Sequence, residues 1–381
     1  MAMTKIIGPG STIGILGSGQ LGRMLAISAR QMGYRVAVFG GDRLSPCGQV
    51  CDLIWPEDYN NEALLHEFAS VSDVVTYEFE NIPAHAAAAI AARTELRPAV
   101  GLLGTAQNRF LEKTALTKLG LPTARFRMVQ NADELVAAHQ DFGGDVILKA
   151  NTEGYDGKGQ WGIGPDADVA AIWESSELTS GLVEQKVAFD YELSMIAGRF
   201  ADGHCAFFDP FLNHHANHIL DVSISGSPLI SVQVASQAEA MGRAVLEHFD
   251  VVGVLCIELF LTSSGELVVN EIAPRPHNSG HLTIEAYNCS QFELQLRTIC
   301  GLPHVAINRM APVAAMANLL GQHLPPEWTQ NAVDAVRNAH LHLYGKQEPK
   351  TNRKMGHVTV LASNPDEAEA NVRACRDGLL A

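Results

Sequence analysis

The stretch VLCIELFLTSSGELVVNEIAPRPHNSGH, residues 254–281, decides the reading of this chain. Apolar runs flank the turn-forming TSSG, as antiparallel strands joined in a hairpin require. One acid lies in each arm, Glu258 and Glu271. With the turn centred on Ser263–Ser264, Glu258 falls opposite Val269 and diagonal to Glu271. Both carboxylates then face one side of the sheet, with Cα atoms about 7–8 Å apart, or closer if a bulge intervenes. That spacing suits Mg²⁺, which takes one or two carboxylates and leaves its other positions to phosphates and water. A solvated outer face is the bland alternative. It fits poorly, because VLCI and LVVN are apolar and an unpaired acid among them is costly. The run PRPHNSGH follows the second acid directly. It crowds Arg275, His277, Asn278 and Ser279 at a strand end, residue types that together grip an oxyanion beside a metal.

Upstream, Lys149 sits on the predicted strand DVILKA, and GYDGKGQ (154–160) follows it. Such a loop is too rich in glycine for a helix or strand interior. It exposes backbone N–H groups, while Lys149 and Lys158 neutralise phosphate charge; a plain hairpin loop remains open on these residues alone. ARFRMV, GQWGIG and GLVEQKV are further strands of this middle segment. Before it, TAQNRFLEKTALTKLGLPT reads as one helix stopped by Gly120 and Pro122. After it come the strand YELSMIAGRF, FFDPFLN, a helix over 237–249, the hairpin, and a last lobe containing HLHLYGK and KMGHVTVLA.

The first hundred residues alternate strand and helix signals, with strands at STIGIL, YRVAVFG, DLIWP and DVVTYEF, which predicts a parallel α/β layer. Within it, Gly17-Ser18-Gly19-Gln20-Leu21-Gly22 satisfies G-x-G-x-x-G, and Asp42 follows the second strand at the offset of a ribose-binding acid. Alone, that pattern says nicotinamide-dependent oxidoreductase. Three glycines also serve a tight packing turn, or a helix N-terminus that takes the phosphate of a mononucleotide.

Composition narrows the classes. The chain has 381 residues, 18% of them charged, and a formal net charge of −15, which argues against a general nucleic-acid or anionic-membrane binder. No apolar run reaches transmembrane length, and the start leads straight into a strand with no signal cleavage site. The seven cysteines are odd in number and scattered, as reduced core cysteines are. A cytoplasmic enzyme is expected.

Together with GSGQLGRM (17–24), YEFEN (77–81), QNRFLEK (107–113), VEQKVAFDYELS (183–194) and RKMGH (353–357), these motifs resemble the ATP-grasp superfamily. Within it, the chain is most similar to the N5-carboxyaminoimidazole ribonucleotide synthetases (PurK type), over almost its whole length. NEIAPRPHNSGH (270–281) is the specific marker; GSGQLG alone is not. The resemblance implies a mixed α/β and α+β architecture: an ATP-grasp fold with a Rossmann-like N-terminal (preATP-grasp) domain over 1–105, a linker helix and mobile lid over 106–190, a floor with the metal hairpin over 191–310, and a C-terminal lobe over 311–381 packing on the core. It also implies the free-standing form, without a fused mutase.

By the same resemblance, ATP lies between lid and floor. Arg109 and Lys149 contact its phosphates, and Gly154, Tyr155, Asp156, Gly157, Lys158, Gly159 and Gln160 close over them. Glu184, Gln185, Lys186 and Val187 line the adenine, Glu192 binds the ribose, and His215 contacts the nucleotide. Glu258 and Glu271 match the Mg²⁺ ligands. Many superfamily members carry a third ligand, an Asn two residues beyond the second Glu; here that position is Ala273, and Asn270 is the substitute expected. Arg275, His277, Asn278 and Ser279 hold bicarbonate or carboxyphosphate. Gln20, Leu21, Glu78, Tyr155, Asp156, Lys346, Arg353 and Lys354 surround aminoimidazole ribonucleotide, with the last three gripping its 5′-phosphate. Asp156 or His277 handles the proton, and Tyr155, Arg275 and Lys354 complete the catalytic set. ATP and Mg²⁺ are the expected cofactors. The expected partners are small molecules, a second copy in a homodimer, and a separate mutase that takes the product. Competing readings are another ATP-grasp ligase (a formate-dependent glycinamide ribonucleotide transformylase or a biotin carboxylase), the oxidoreductase, and a non-catalytic nucleotide sensor.

Overall fold

Three sheets organise the protein, whose computed structural model describes residues 6–56, 58–152 and 159–380. The parallel layer is present: Thr12–Leu16 lies between Arg35–Phe39 and Val74–Tyr77, and Leu53–Trp55 is the outer strand. Its strands read as continuous apolar runs because both faces are covered. Ile13, Ile15 and Val36 pack with Leu21 and Leu25 of the helix Gln20–Gln31, whereas Leu16, Ala37 and Phe39 pack with Leu65 and Phe68 of Glu62–Val71.

The expected single helix over 105–120 is two helices, Val100–Ala106 and Arg109–Lys118. The break lies at Asn108, whose side-chain oxygen accepts the Leu111 N–H at 3.0 Å. An Asn that caps a helix start stops the preceding helix from running through. Helical spacing then puts Arg109, Glu112 and Lys113 on one face of this linker helix, and all three are buried. The helix expected over 237–249 starts earlier, at Val232, where Ser231 caps it.

The linker helix leads into a four-stranded antiparallel sheet ordered Phe126–Val129, Gly181–Gln185, Val146–Ala150, Gln160–Ile163. It is the lid sheet, with Ala132–Asp141 and Val169–Ser176 packed on it. The floor is a nine-stranded sheet among the described residues, and every pairing in it is antiparallel. The strands of the last lobe, Val313–Leu320, Lys354–Ala362 and His340–Leu343, continue this sheet through Ile219–Ser225. Among the described residues no helix is long and apolar enough to cross a membrane.

The hairpin is present as Gly253–Leu261 and Leu267–Ala273, but its register corrects the expectation. Gly265, at φ +82°, closes the turn, and Leu261 pairs with Leu267, one residue off the simple two-residue turn. A bulge at Asn270 then shifts the pairing once more, so that Leu259 faces Val269 while Glu258 faces Glu271 directly. One shift alone would turn one acid to the opposite face; two restore the face and bring the acids together.

The helix Gln291–Ile299 joins floor to parallel layer. Phe292, Leu296 and Ile299 enter the N-terminal core, and Leu294 enters the floor core. Between them the fully buried Gln295 donates to Thr76 Oγ1 at 2.7 Å and accepts from the Val254 N–H at 2.5 Å, one partner in each sheet. Gln295→Ala leaves both partners buried and unbonded. It is expected to lower the free energy of unfolding by about 1–3 kcal/mol in a urea titration, against no measurable change for a surface Gln→Ala control.

Candidate active site

The bulge that opposes Glu258 and Glu271 is held from the linker helix. Lys113 Nζ donates to the Asn270 carbonyl at 2.7 Å, and Glu112 Oε1 accepts the Ile272 N–H at 2.6 Å, so the two side chains bracket Glu271. Arg109, one turn earlier, meets Glu271 itself at 3.0 Å. Burial, with the charge of Glu271 added, pushes the Glu112 carboxyl up to about 8. Neither Glu112 nor Lys113 was expected in the site. The signal available was their spacing from Arg109 in RFLEK.

Lys113 also ties the hairpin to the lid. Its Nζ lies 3.5 Å from Glu184 Oε2, and Lys149 meets the same oxygen at 2.9 Å. Burial alone would raise the Glu184 carboxyl, but Lys113 and Lys149 outweigh it and hold it below the usual carboxylate range. The side chain of Glu184 thus positions Lys149 through one oxygen, while its buried Oε1 has no partner among the described residues. Gln185 bonds the Phe142 carbonyl, the exposed Lys186 pairs with Asp145, and Val187 lies just past the strand. On the floor, Glu192 Oε2 meets His215 Nδ1 at 3.0 Å. Gly159 and Gln160 flank Lys149, Gln160 as its cross-strand partner. Gly154, Tyr155, Asp156, Gly157 and Lys158 lie outside the described residues.

Beyond the hairpin, Glu258 Oε1 meets His277 Nε2 at 2.9 Å. Desolvation opposes ionisation of Glu258, yet the hydrogen bond from His277, with His215 and Arg275 behind it, holds it down at about 2. Arg275 grips both oxygens of Glu80, the second acid of YEFEN, in a bidentate pair that sequence reading missed. Asn278 is buried, and neither its Oδ1 nor its Nδ2 has a partner among the described residues. A donor and an acceptor held ready in this way suit a small oxyanion that carries a proton.

The glycine turn is settled by a protein carboxylate. Glu78 accepts the Gly19 N–H at 2.5 Å and the Gly22 N–H at 2.9 Å. Two of the N–H groups at this turn are therefore taken by a protein carboxylate, which weakens the dinucleotide reading and leaves the expectation of a phosphate here to the N–H groups of Gln20 and Leu21. The glycine at 19 has a direct cause, since a Cβ there would lie 2.5 Å from Glu78 Oε1. Leu21 sits in the N-terminal core, which leaves only its backbone for a ligand; Gln20 is half-buried at the helix start. Asp42 caps its own turn through the N–H groups of Leu44 and Ser45. Lys346 donates to the Lys354 carbonyl at 2.7 Å, and both lysines act on the cluster electrostatically, Lys346 on Glu78 and Lys354 on His215. Arg353 is not brought in: it is exposed and donates to the Glu348 carbonyl.

Glu258 and Glu271 fit a divalent cation. They are opposed, supply only oxygen, and keep part of each side chain exposed, 20% for Glu258 and 38% for Glu271. Among the described residues no set of three or more His, Cys, Asp and Glu could hold a metal alone. A cation bound here must complete its shell from phosphate and water, the pattern of Mg²⁺ and not of structural Zn²⁺. The bracket itself is testable. Glu112→Ala strands the buried Ile272 N–H and is expected to cost about 1–3 kcal/mol in urea denaturation. Glu112→Gln keeps an acceptor and should lose distinctly less.

Comparisons with known proteins cover the whole of this architecture. Family models match in three consecutive parts: the ribonucleotide synthetase preATP-grasp domain over residues 10–107, the ATP-grasp domain over 114–292, and the phosphoribosylaminoimidazole carboxylase C-terminal domain over 314–371. The N5-carboxyaminoimidazole ribonucleotide synthase of Bacillus subtilis (strain 168) is 39% identical over 363 residues, 95% of this chain and 94% of that protein. The crystal structure of an N5-carboxyaminoimidazole ribonucleotide synthetase with ADP superposes with a TM-score of 0.93 at 40% identity, covering 98% of both chains. That of the Aspergillus clavatus N5-carboxyaminoimidazole synthase with ADP and 5-aminoimidazole ribonucleotide gives 0.89 at 30% identity, covering 97% of this chain and 99% of that one.

Proposed function

Since this chain belongs to the N5-carboxyaminoimidazole ribonucleotide synthase family of ATP-grasp ligases, we propose that it carboxylates 5-aminoimidazole ribonucleotide with ATP and bicarbonate, releasing ADP and phosphate in purine biosynthesis. The observation that carries this reading is the direct opposition of Glu258 and Glu271, with Arg109 on one side and His277 and Arg275 on the other. A nucleotide's phosphates and an oxyanion acceptor fit side by side there.

Bicarbonate attacks the γ-phosphorus of ATP, ADP leaves, and carboxyphosphate forms. Loss of phosphate delivers CO₂ to the amine of aminoimidazole ribonucleotide, which gives up a proton. Glu258 and Glu271 would hold Mg²⁺, which supplies charge stabilisation to the transferred phosphoryl group. Lys149, positioned by Glu184, and Arg109 offset the remaining phosphate charge. Arg275, fixed by Glu80, and the open amide of Asn278 orient bicarbonate. Glu78 keeps its carboxylate oriented toward the ribonucleotide side through the Gly19 and Gly22 N–H groups. Lys346 and Lys354 offer cations for the 5′-phosphate; the exposed Arg353 reaches it only if its loop turns inward. Glu192 with His215 serves the ribose of ATP, and the backbone of 184–187 serves its adenine. The family resemblance assigns Gly154–Gln160 to the ATP phosphates and Tyr155 and Asp156 to the substrate. All seven cysteines are free thiols, which supports a cytosolic setting. The same reading carries the expectation of a homodimer and of a separate mutase that takes the product.

The assay is ADP release from ATP, Mg²⁺ and bicarbonate, with and without acceptor. Aminoimidazole ribonucleotide is expected to raise the rate many-fold, and formate with glycinamide ribonucleotide to leave it unchanged. The reverse pattern would assign the chain to the transformylase branch.

A further inference from the structure

A row of polar side chains crosses the floor sheet beneath the site, and the sequence reading did not notice it. Ser223 pairs with Asn213 across two strands, Ser194 pairs with Glu258 across two more, and Glu258 pairs with Glu271, so all share one face. Ser194, Ser223 and Ser279 are fully buried, and Asn213 nearly so. They form one continuous chain. Ser223 Oγ donates to Asn213 Oδ1 at 2.8 Å, Asn213 Nδ2 donates to Ser194 Oγ at 3.0 Å, and Ser194 Oγ donates to Ser279 Oγ at 2.7 Å. Ser279 Oγ lies 2.8 Å from His277 Nδ1, and His277 Nε2 lies 2.9 Å from Glu258 Oε1.

The direction of this chain follows from proton counting. A hydroxyl has one proton to give. Ser194 donates to Ser279, whose own proton is then available to His277 Nδ1 or to the neighbouring Cys256 Sγ. An independent group fixes the same polarity: the backbone N–H of Ser279, which cannot reverse, also donates to Nδ1, at 3.4 Å. Nδ1 is therefore an acceptor, and the ring proton resides on Nε2, facing Glu258. The opposite tautomer would point an Nε2 lone pair at the Glu258 carboxylate, acceptor against acceptor.

We propose that Ser279, Ser194, Asn213 and Ser223 are positioning residues that fix His277 as the Nε2–H tautomer, so that His277 serves the carboxylation as a hydrogen-bond donor and not as a carrier of the substrate proton. In this tautomer Nε2 has no lone pair to receive a proton. Nor can the relay pass one along, because it runs into the Asn213 carboxamide, which holds its protons. His277 thus presents a fixed N–H to an oxyanion beside Glu258, and the amine proton of the substrate must go to another group. A donor held in place by buried partners needs no reorganisation as charge develops. The inference rests on the synthase reading for the identity of that oxyanion, and on the hydrogen bonds alone for the tautomer.

The test uses the full-length protein and two readouts. The first is turnover with aminoimidazole ribonucleotide in His277→Ala and His277→Gln, with ADP binding by calorimetry to verify that each variant is folded. A donor role predicts that His277→Ala loses about 10²–10³ in kcat, as loss of an oxyanion donor does, while His277→Gln, whose amide N–H can replace Nε2–H, recovers most of it. Equal inactivity of the two variants overturns the proposal. The second readout is the long-range ¹H–¹⁵N spectrum of histidine-labelled protein, with the His277 signals assigned by their absence in His277→Gln. Wild type should show the Nε2–H pattern. Ser279→Ala should move these signals toward a mixture of tautomers and lower kcat, with ADP affinity unchanged. A folded Ser279→Ala with wild-type signals overturns the relay; Ser194→Ala answers by the same criteria if Ser279→Ala fails to bind ADP. Absence of turnover in the wild type would count against the synthase reading, whereas the spectra decide the relay regardless.

Discussion

The rest of the structure depends on the direct opposition of Glu258 and Glu271. A regular hairpin would have separated them by a diagonal, and a single register slip would have sent one of them into the core. The αL glycine at 265 and the bulge at Asn270 shift the register twice, which keeps the face and closes the distance. The linker helix holds that bulge with Lys113 and Glu112, one on each side of Glu271. That helix starts where it does because Asn108 caps it. The opposed acids on the floor are in this way fixed by an element that leads into the lid.

A second constraint follows from burying so many ionised groups together. Five carboxylates of the site have a basic partner: Glu271 with Arg109, Glu184 with Lys149 and Lys113, Glu80 with Arg275, Glu258 with His277, Glu192 with His215; Glu78 is held instead by the Gly19 and Gly22 N–H groups. Unpaired, each would cost several kcal/mol or take up a proton. Paired, they hold basic side chains at several points of the site. Glu112 differs: burial, with the charge of Glu271 added, raises its carboxyl to about 8.

Much of this was legible in the sequence, for physical reasons. The strand–helix alternation of the first hundred residues, the apolar arms around TSSG and the run NEIAPRPHNSGH each imply local structure without tertiary context, and those elements are present. The register of the hairpin was not legible. It hangs on whether Gly265 adopts positive φ and whether Asn270 bulges, and neither leaves a periodic trace. The glycine turn misled for the complementary reason: its N–H groups do bind an anion, but that anion is Glu78, brought by a strand 59 residues away. Glu112, Lys113, Glu80 and the Ser194 relay were invisible because single polar residues in RFLEK, YEFEN and YELSMIAG look like ordinary solvent-facing positions. Only the packing shows them to be buried.

The central claim is that the opposed glutamates hold the divalent cation of a bound nucleotide. Manganese reports this directly, because Mn²⁺ free in solution gives a sharp EPR spectrum that is lost on binding. With ADP present, the wild-type protein should deplete the free Mn²⁺ signal, and Glu258→Gln and Glu271→Gln should each restore most of it while still binding ADP. Undiminished Mn²⁺ binding in either variant would contradict the account.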